Sequence, residues 1–201
     1  MHISEGVLSG EVLAAGWALT SAGLAVGLRR MRQQDLPTVA LICCAFFLAS
    51  LIHVPLGPTS VHLILNGLCG VLLGWMAFPA LFVALLLQAV LFQFGGLLVL
   101  GVNTFTMATP AVAAHYLTKP LLKREGNLWC AISGAIAAVV GVGGAGILVA
   151  LSLTLSGKEF TKAAELILAA HIPVAAVEAV VTGFTLAFIK RSVPEVLGVQ
   201  R

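Results

Sequence analysis

The chain has 201 residues, 60% of them hydrophobic and 9% charged, with a formal net charge of +3. A soluble domain carries about 25% charged side chains, so this composition excludes a water-covered globule, and the small charge, scattered in short clusters, excludes a nucleic-acid partner. The expectation is an all-α membrane protein, with residues 1–201 forming a single integral membrane domain in contact with lipid.

In chain order, MHISEGVLSG comes first. It has neither a charged n-region nor a small-residue cleavage site, so no cleavable leader is expected. Seven apolar runs follow, each near the ~20 residues a spanning helix needs. They are Leu8–Leu28, Pro37–Leu56, His62–Phe78, Ala80–Val99, Phe105–Leu122, Leu128–Ser152 and Ala163–Ile189. The third and fourth share an almost unbroken stretch, divided at Pro79. Cys43, Cys44, Cys69 and Cys130 all lie inside these runs. They read as small hydrophobes, since zinc and disulfide frameworks need spaced cysteines in polar loops.

Lysines and arginines in short loops orient such a bundle. Arg29, Arg30, Arg32, Lys119, Lys123, Arg124, Lys190, Arg191 and Arg201 fall on one side, Lys158 and Lys162 on the other. The first side is therefore assigned to the cytoplasm, and a bundle of about seven transmembrane helices has its N-terminus outside. GPTSV, GGLLVLGVN and SGKEFTK are then outer loops. His2, His53, His62 and His171 all fall at or near outer helix ends, whereas His115 lies in the cytoplasmic half.

Ala14, Ala18 and Ala22 recur every four residues on the first span, the small-xxx-small pattern of close helix contacts. They serve either packing within the bundle or a partner. GVGGAG in the sixth span is not a dinucleotide fingerprint, because no strand precedes it. LSGKEF lacks the upstream Gly and the Ser/Thr of a P-loop, so ATP hydrolysis must come from a partner. No H-E-x-x-H, Ser-His pair or carboxylate dyad points to an enzyme.

A histidine at position 2 offers one metal ion three nitrogens. A free α-amine and the His2 amide nitrogen close a five-membered chelate ring; the amide nitrogen and Nδ1 of the imidazole close a six-membered one. The donors are nearly coplanar because the intervening peptide is planar. Square-planar nitrogen sites suit Ni(II) or Cu(II), whereas Zn(II) prefers a tetrahedron. His62, following the stiff loop VPLGPTSVH, is the best fourth donor. His53 competes with it, or holds a ligand imidazole by hydrogen bond. Asn103 either bonds the backbone of the metal-binding loop or caps its own helix. Glu5 would raise the local cation concentration. His171 is a further candidate to support the ligands. Glu178, two turns on along the same face, bonds another helix or lines the metal's path.

MHISEG, PLGPTSVHL, GGLLVLGVNTFTM and AAHIPVAAVEAVVTG, in that order, resemble the CbiM/NikM family, the substrate-binding S components of energy-coupling-factor importers for nickel and cobalt. The resemblance spans nearly the whole chain. It implies a seven-helix protein of a prokaryotic cell membrane that captures Ni(II) or Co(II) from outside. The implied ligands are the Met1 amine, the amide and imidazole nitrogens of His2, and His62. The implied partners are a transmembrane T subunit docking on a small-residue face, two ABC-type ATPases, and in addition a small membrane subunit. An ionised amide ligand favours Ni(II), with Co(II) the alternative. A self-sufficient secondary transporter relaying protons through Glu178 and His115 would call for inverted repeats, and none is visible.

Overall fold

Apolar runs set the helices, and glycine, proline and amide side chains set where they break. The computed structural model describes residues 2–51, 53–56 and 59–197, with 53–56 and 59–62 given by their backbone. Among the described residues the helices are α1 (Gly10–Arg30), α2 (Leu36–Leu51), α3 (Asn66–Leu73), α4 (Ala77–Phe92), α5 (Leu100–Leu122), α6 (Asn127–Ala138), α7 (Gly144–Ser156) and α8 (Thr161–Ser192). A two-stranded antiparallel hairpin, β1 (His53–Leu56) and β2 (Thr59–His62), interrupts them between α2 and α3.

Among the described residues five helical stretches are long and apolar enough to cross a membrane: Gly10–Arg30, Gln33–Leu51, Asn66–Phe92, Asn127–Ser156 and Lys158–Ser192. The exposed side chains along them are largely apolar, among them Leu41, Val90, Ile147, Ile172 and Phe184. That is the surface a lipid environment calls for. Helix α5 is the central element, packing against α1, α3, α4, α6 and α7. Its polar residues Asn103, Thr104, Thr106 and Thr118 are buried among those neighbours, so it need not be uniformly apolar.

The second expected span, Pro37–Leu56, is shorter in the structure: α2 stops at Leu51 and the chain turns into β1. Pro55 has no N–H to give a helix, but a two-stranded hairpin tolerates it because each strand is an edge. The third expected span, His62–Phe78, is also cut back. Helix α3 has 8 residues and rises about 12 Å, and residues 62–65 are not helical.

The division between the third and fourth runs lies at Gly74, not Pro79. Gly74 has φ +55°, a left-handed conformation that glycine adopts without penalty. Pro79 sits in the first turn of α4, where its missing N–H costs nothing. Helix α3 runs alongside α5, with Asn66 at Met107 and Val71 at His115. Trp75 then reaches Tyr116, and α4 returns so that its Gln88 meets His2 at the opposite end. Helices α3 and α4 therefore run in opposite directions.

Helices α6 and α7 join through a π-turn at Val139–Gly143. A π-turn displaces a carbonyl from the helical ladder, and the Gly141 carbonyl here accepts from Asn66 Nδ2 at 2.9 Å. The two ends of the bundle differ chemically. Arg29 and Arg30, Lys119, Lys190 and Arg191 close α1, α5 and α8 at one end. There Arg30 stacks on Trp75 and Arg124 on Trp129. At the other end lie residues 2–9 and the turn from α4 to α5.

Candidate metal centre

The segment ahead of α1 is held in place residue by residue. His2 Nε2 is 2.6 Å from Gln88 Oε1. Ile3 N donates to Asn103 Oδ1 at 3.0 Å, and Asn103 Nδ2 donates to Ile3 O at 3.1 Å. Glu5 accepts from Leu98 N at 3.0 Å. Ser9 caps α1 and donates its own N–H to Ser156 Oγ at 3.1 Å. Ile3 and Leu8 are buried in an apolar cluster with Val99, Val102, Val149 and Leu153.

The facing loop is shaped to receive this segment. Gly95 has φ +79°, and a Cβ there would lie 2.9 Å from Asn103 Nδ2 and 3.5 Å from His2 Cβ. A side chain would strain the backbone and press on two residues of the site. Trp17 Nε1 donates to Leu98 O at 2.9 Å, and Thr20 Oγ1 to Gly101 O at 2.6 Å. Helix α1 thereby grips the loop and the first turn of α5, which in turn hold residues 3–5.

The hairpin carries two further histidines expected at the site. Its register sets His53 opposite His62. The chain leaving β2 is fixed at its foot by Glu178, fully buried on α8, whose Oε1 accepts from Ile64 N and, at 2.9 Å, from Leu65 N. Leu65 is left-handed at φ +52°, so these bonds hold a bend just before α3. Among the described residues Glu178 Oε2 has no hydrogen-bond partner.

The expected site residues divide accordingly. Met1 lies outside the described residues, and so do Gly57 and Pro58. His2, Asn103 and Glu5 are brought together at one end of the bundle. Asn103 resolves its two readings in favour of the loop backbone. Glu5 is exposed and accepts a hydrogen bond from the loop at Leu98 N. His53 and His62 are paired through their backbone register. His171 turns back on its own helix, its Nδ1 bonded to Ile167 O, and packs by Gly146 of α7. Ala14, Ala18 and Ala22 are all exposed, whereas Gly16, Thr20, Gly23 and Gly27 form the buried face of α1.

Among the described residues no three His, Cys, Asp or Glu side chains gather as a metal cluster. Gln88 escaped the sequence reading. Its signal was a lone amide in the otherwise apolar run AFPALFVALLLQAVLF.

Residues 2–196 match the model of a family described as "Cobalt uptake substrate-specific transmembrane region", CbiM. The chain belongs to the CbiM family. A Haemophilus influenzae relative named for metal transport is 48% identical over 98% of this chain and 97% of its own. A cobalt transport protein CbiM of Sorangium cellulosum is 35% identical, covering 98% of this chain and 94% of that one. A fused nickel transport protein NikMN of Rhodobacter capsulatus is 32% identical over all of this chain but only 65% of its own length. The crystal structure of a transition metal transporter superposes with a TM-score of 0.72 at 27% identity, covering 95% and 93% of the two chains. Membership makes this CbiM-family chain a membrane component of nickel or cobalt uptake and not an enzyme.

Proposed function

We propose that the chain captures Ni(II), with Co(II) the alternative, at the outer face of a prokaryotic cell membrane, as the S component of an ATP-driven energy-coupling-factor importer. The observation that carries this reading is the docking of the chain start. The Ile3 backbone is held by both ends of the Asn103 amide and His2 sits on Gln88, at the end of the bundle away from the arginines and lysines. In this reading α1, α2, α3, α4, α5, the α6–α7 rod and α8 make seven passes. The opposed directions of α3 and α4 support that count. The cation-rich end faces the cytoplasm by the positive-inside rule, and the N-terminus faces out.

The donor plane consists of the Met1 amine, the His2 amide nitrogen and Nδ1, and the His62 imidazole, with His53 beside it in the hairpin supporting His62. Relatives bear the names of both metals at nearly equal identity, so chemistry decides the preference. Four nitrogens in a plane, one of them an ionised amide, favour Ni(II) over Co(II). The chain has no P-loop of its own. A transmembrane T subunit, docking on the exposed Ala14, Ala18 and Ala22 face, and two ABC-type ATPases supply the drive, and a small membrane subunit joins them.

A competition titration of Ni(II) against Co(II) on purified protein starting at Met1 tests the reading, with Ni(II) expected to win. Metal entry must displace the protons of the amine, imidazole and amide. Their free pKa values of about 8 and 6.5 for the first two place the loss of affinity in mild acid, with binding strengthening as pH rises. His2→Ala and a one-residue extension ahead of Met1 should each abolish binding. Full binding by the extended chain overturns the amine ligand and the capture mechanism with it.

A further inference from the structure

We infer that Gln88, backed by Ser50, is a positioning residue that sets the tautomer and plane of the His2 imidazole, so that Nδ1 carries the lone pair that closes the chelate. The inference deepens the proposed nickel-capture site and rests on it for its purpose, though not for its geometry.

The proton positions follow from a chain of three hydrogen bonds. Ser50 Oγ lies 2.7 Å from Phe47 O. A carbonyl only accepts, so the hydroxyl proton belongs to that bond. The Ser50 oxygen must then receive its other neighbour, Gln88 Nε2, at 2.5 Å. That fixes which way round the Gln88 amide lies, and its Oε1 faces His2 Nε2 at 2.6 Å. An amide oxygen also only accepts, so Nε2 of His2 carries the ring proton. In a neutral imidazole the lone pair is then on Nδ1. Nδ1 is the ring nitrogen near enough to its own backbone amide to close the six-membered ring.

The relay is rigid. Gln88 and Ser50 are both fully buried, on α4 and α2, and Phe47 closes the arrangement twice. Its carbonyl anchors Ser50, and its ring packs 5.7 Å from Phe92. Phe92 in turn stacks on Phe94 at 5.8 Å, and Phe94 lies 6.0 Å from the His2 ring, tilted by 32°. The imidazole is thus bounded by an acceptor at its edge and an aromatic ring alongside. Metal-bound histidines are commonly oriented through their second nitrogen by a carboxylate or a carbonyl. An amide does the same without adding a charge, which matters where the ionised peptide nitrogen already contributes one in a water-poor site.

The test uses full-length protein starting at Met1, with ¹⁵N-labelled histidine, in three variants: Gln88→Leu, Ser50→Ala and the double. In the metal-free wild type, the His2 ring should give one protonated and one bare nitrogen resonance, with Nε2 protonated. Gln88→Leu should mix the tautomers and weaken Ni(II) binding about 10- to 100-fold, the range for such supporting partners. Ser50→Ala frees the amide to turn, so it should mix the tautomers too, with a smaller loss of affinity. In the Gln88→Leu background Ser50→Ala should add nothing, because it acts through Gln88. A wild-type tautomer and wild-type affinity in Ser50→Ala and Gln88→Leu overturn the inference. If Gln88→Leu fails to fold, Ser50→Ala alone decides. A wild type with the expected tautomer but no Ni(II) binding sinks the proposed function and leaves the positioning role standing.

Discussion

Asn103 commits both ends of one side chain to the backbone of Ile3, a residue 100 positions away. Two hydrogen bonds of about 1 kcal/mol each amount to roughly 30-fold in an equilibrium constant. Asn103→Ala should therefore weaken Ni(II) capture by about that factor, read by calorimetric titration, because the donors of His2 are delivered only when the segment is docked. Unchanged affinity would mean that the apolar seat of Ile3 and Leu8 suffices. At this scale the sequence exposed the chemistry but not the pairings. An Asn beginning a helix has two ordinary uses, and only the fold brings Ile3 to it. Gln88 was visible as a polar residue inside an apolar helix, which is a functional candidate by default. Its role required His2 and Ser50, which lie 86 and 38 residues away.

Hydropathy marks most of the helices and fails where the backbone rather than the side chain decides. VPLGPTSV is apolar enough to pass for the end of a span, yet β1 and β2 pair there as antiparallel strands. Helix α3 shows the same limit, because its place depends on how closely backbones approach. A Cβ on Gly70 would lie 1.8 Å from Ala111 O on α5, and one on Gly67 would lie 2.1 Å from Ala137 O on α6. These are backbone atoms with no side-chain freedom to yield. Gly70→Ala should cost about 1–3 kcal/mol or more through overpacking, lowering the melting temperature in detergent. It should also weaken Ni(II) binding, because α3 carries Asn66 and the bend that Glu178 holds below His62. Gly143→Ala, with nothing within 4 Å of the added carbon, serves as the control and should leave both measurements unchanged. Equal melting temperatures for the two variants would show that α3 is not wedged between α5 and α6.

Across the whole molecule, small residues sort into two kinds that the sequence does not separate. Gly16, Thr20, Gly23 and Gly27 line the buried face of α1, where α5 and α4 come against it. Ala14, Ala18 and Ala22 lie on the opposite side and are exposed. The spacing of four was legible, but its alternative uses, packing within the bundle or meeting a partner, differ only in which way α1 is turned. That rotation is set by Trp17 bonding the loop before α5 and Thr20 bonding the first turn of α5, contacts 81 residues apart in the chain. Because the alanine face is exposed, Ala18→Leu should leave folding and Ni(II) affinity at wild-type values. In cells that supply the T subunit and the ATPases, the added side chain would hold helices apart where small residues allow close approach, and nickel accumulation should fall sharply. Leu19→Ala, an exposed residue beside it, removes bulk instead and should leave accumulation intact. Wild-type uptake by Ala18→Leu would assign this face to lipid and move the search for the partner's seat to another helix.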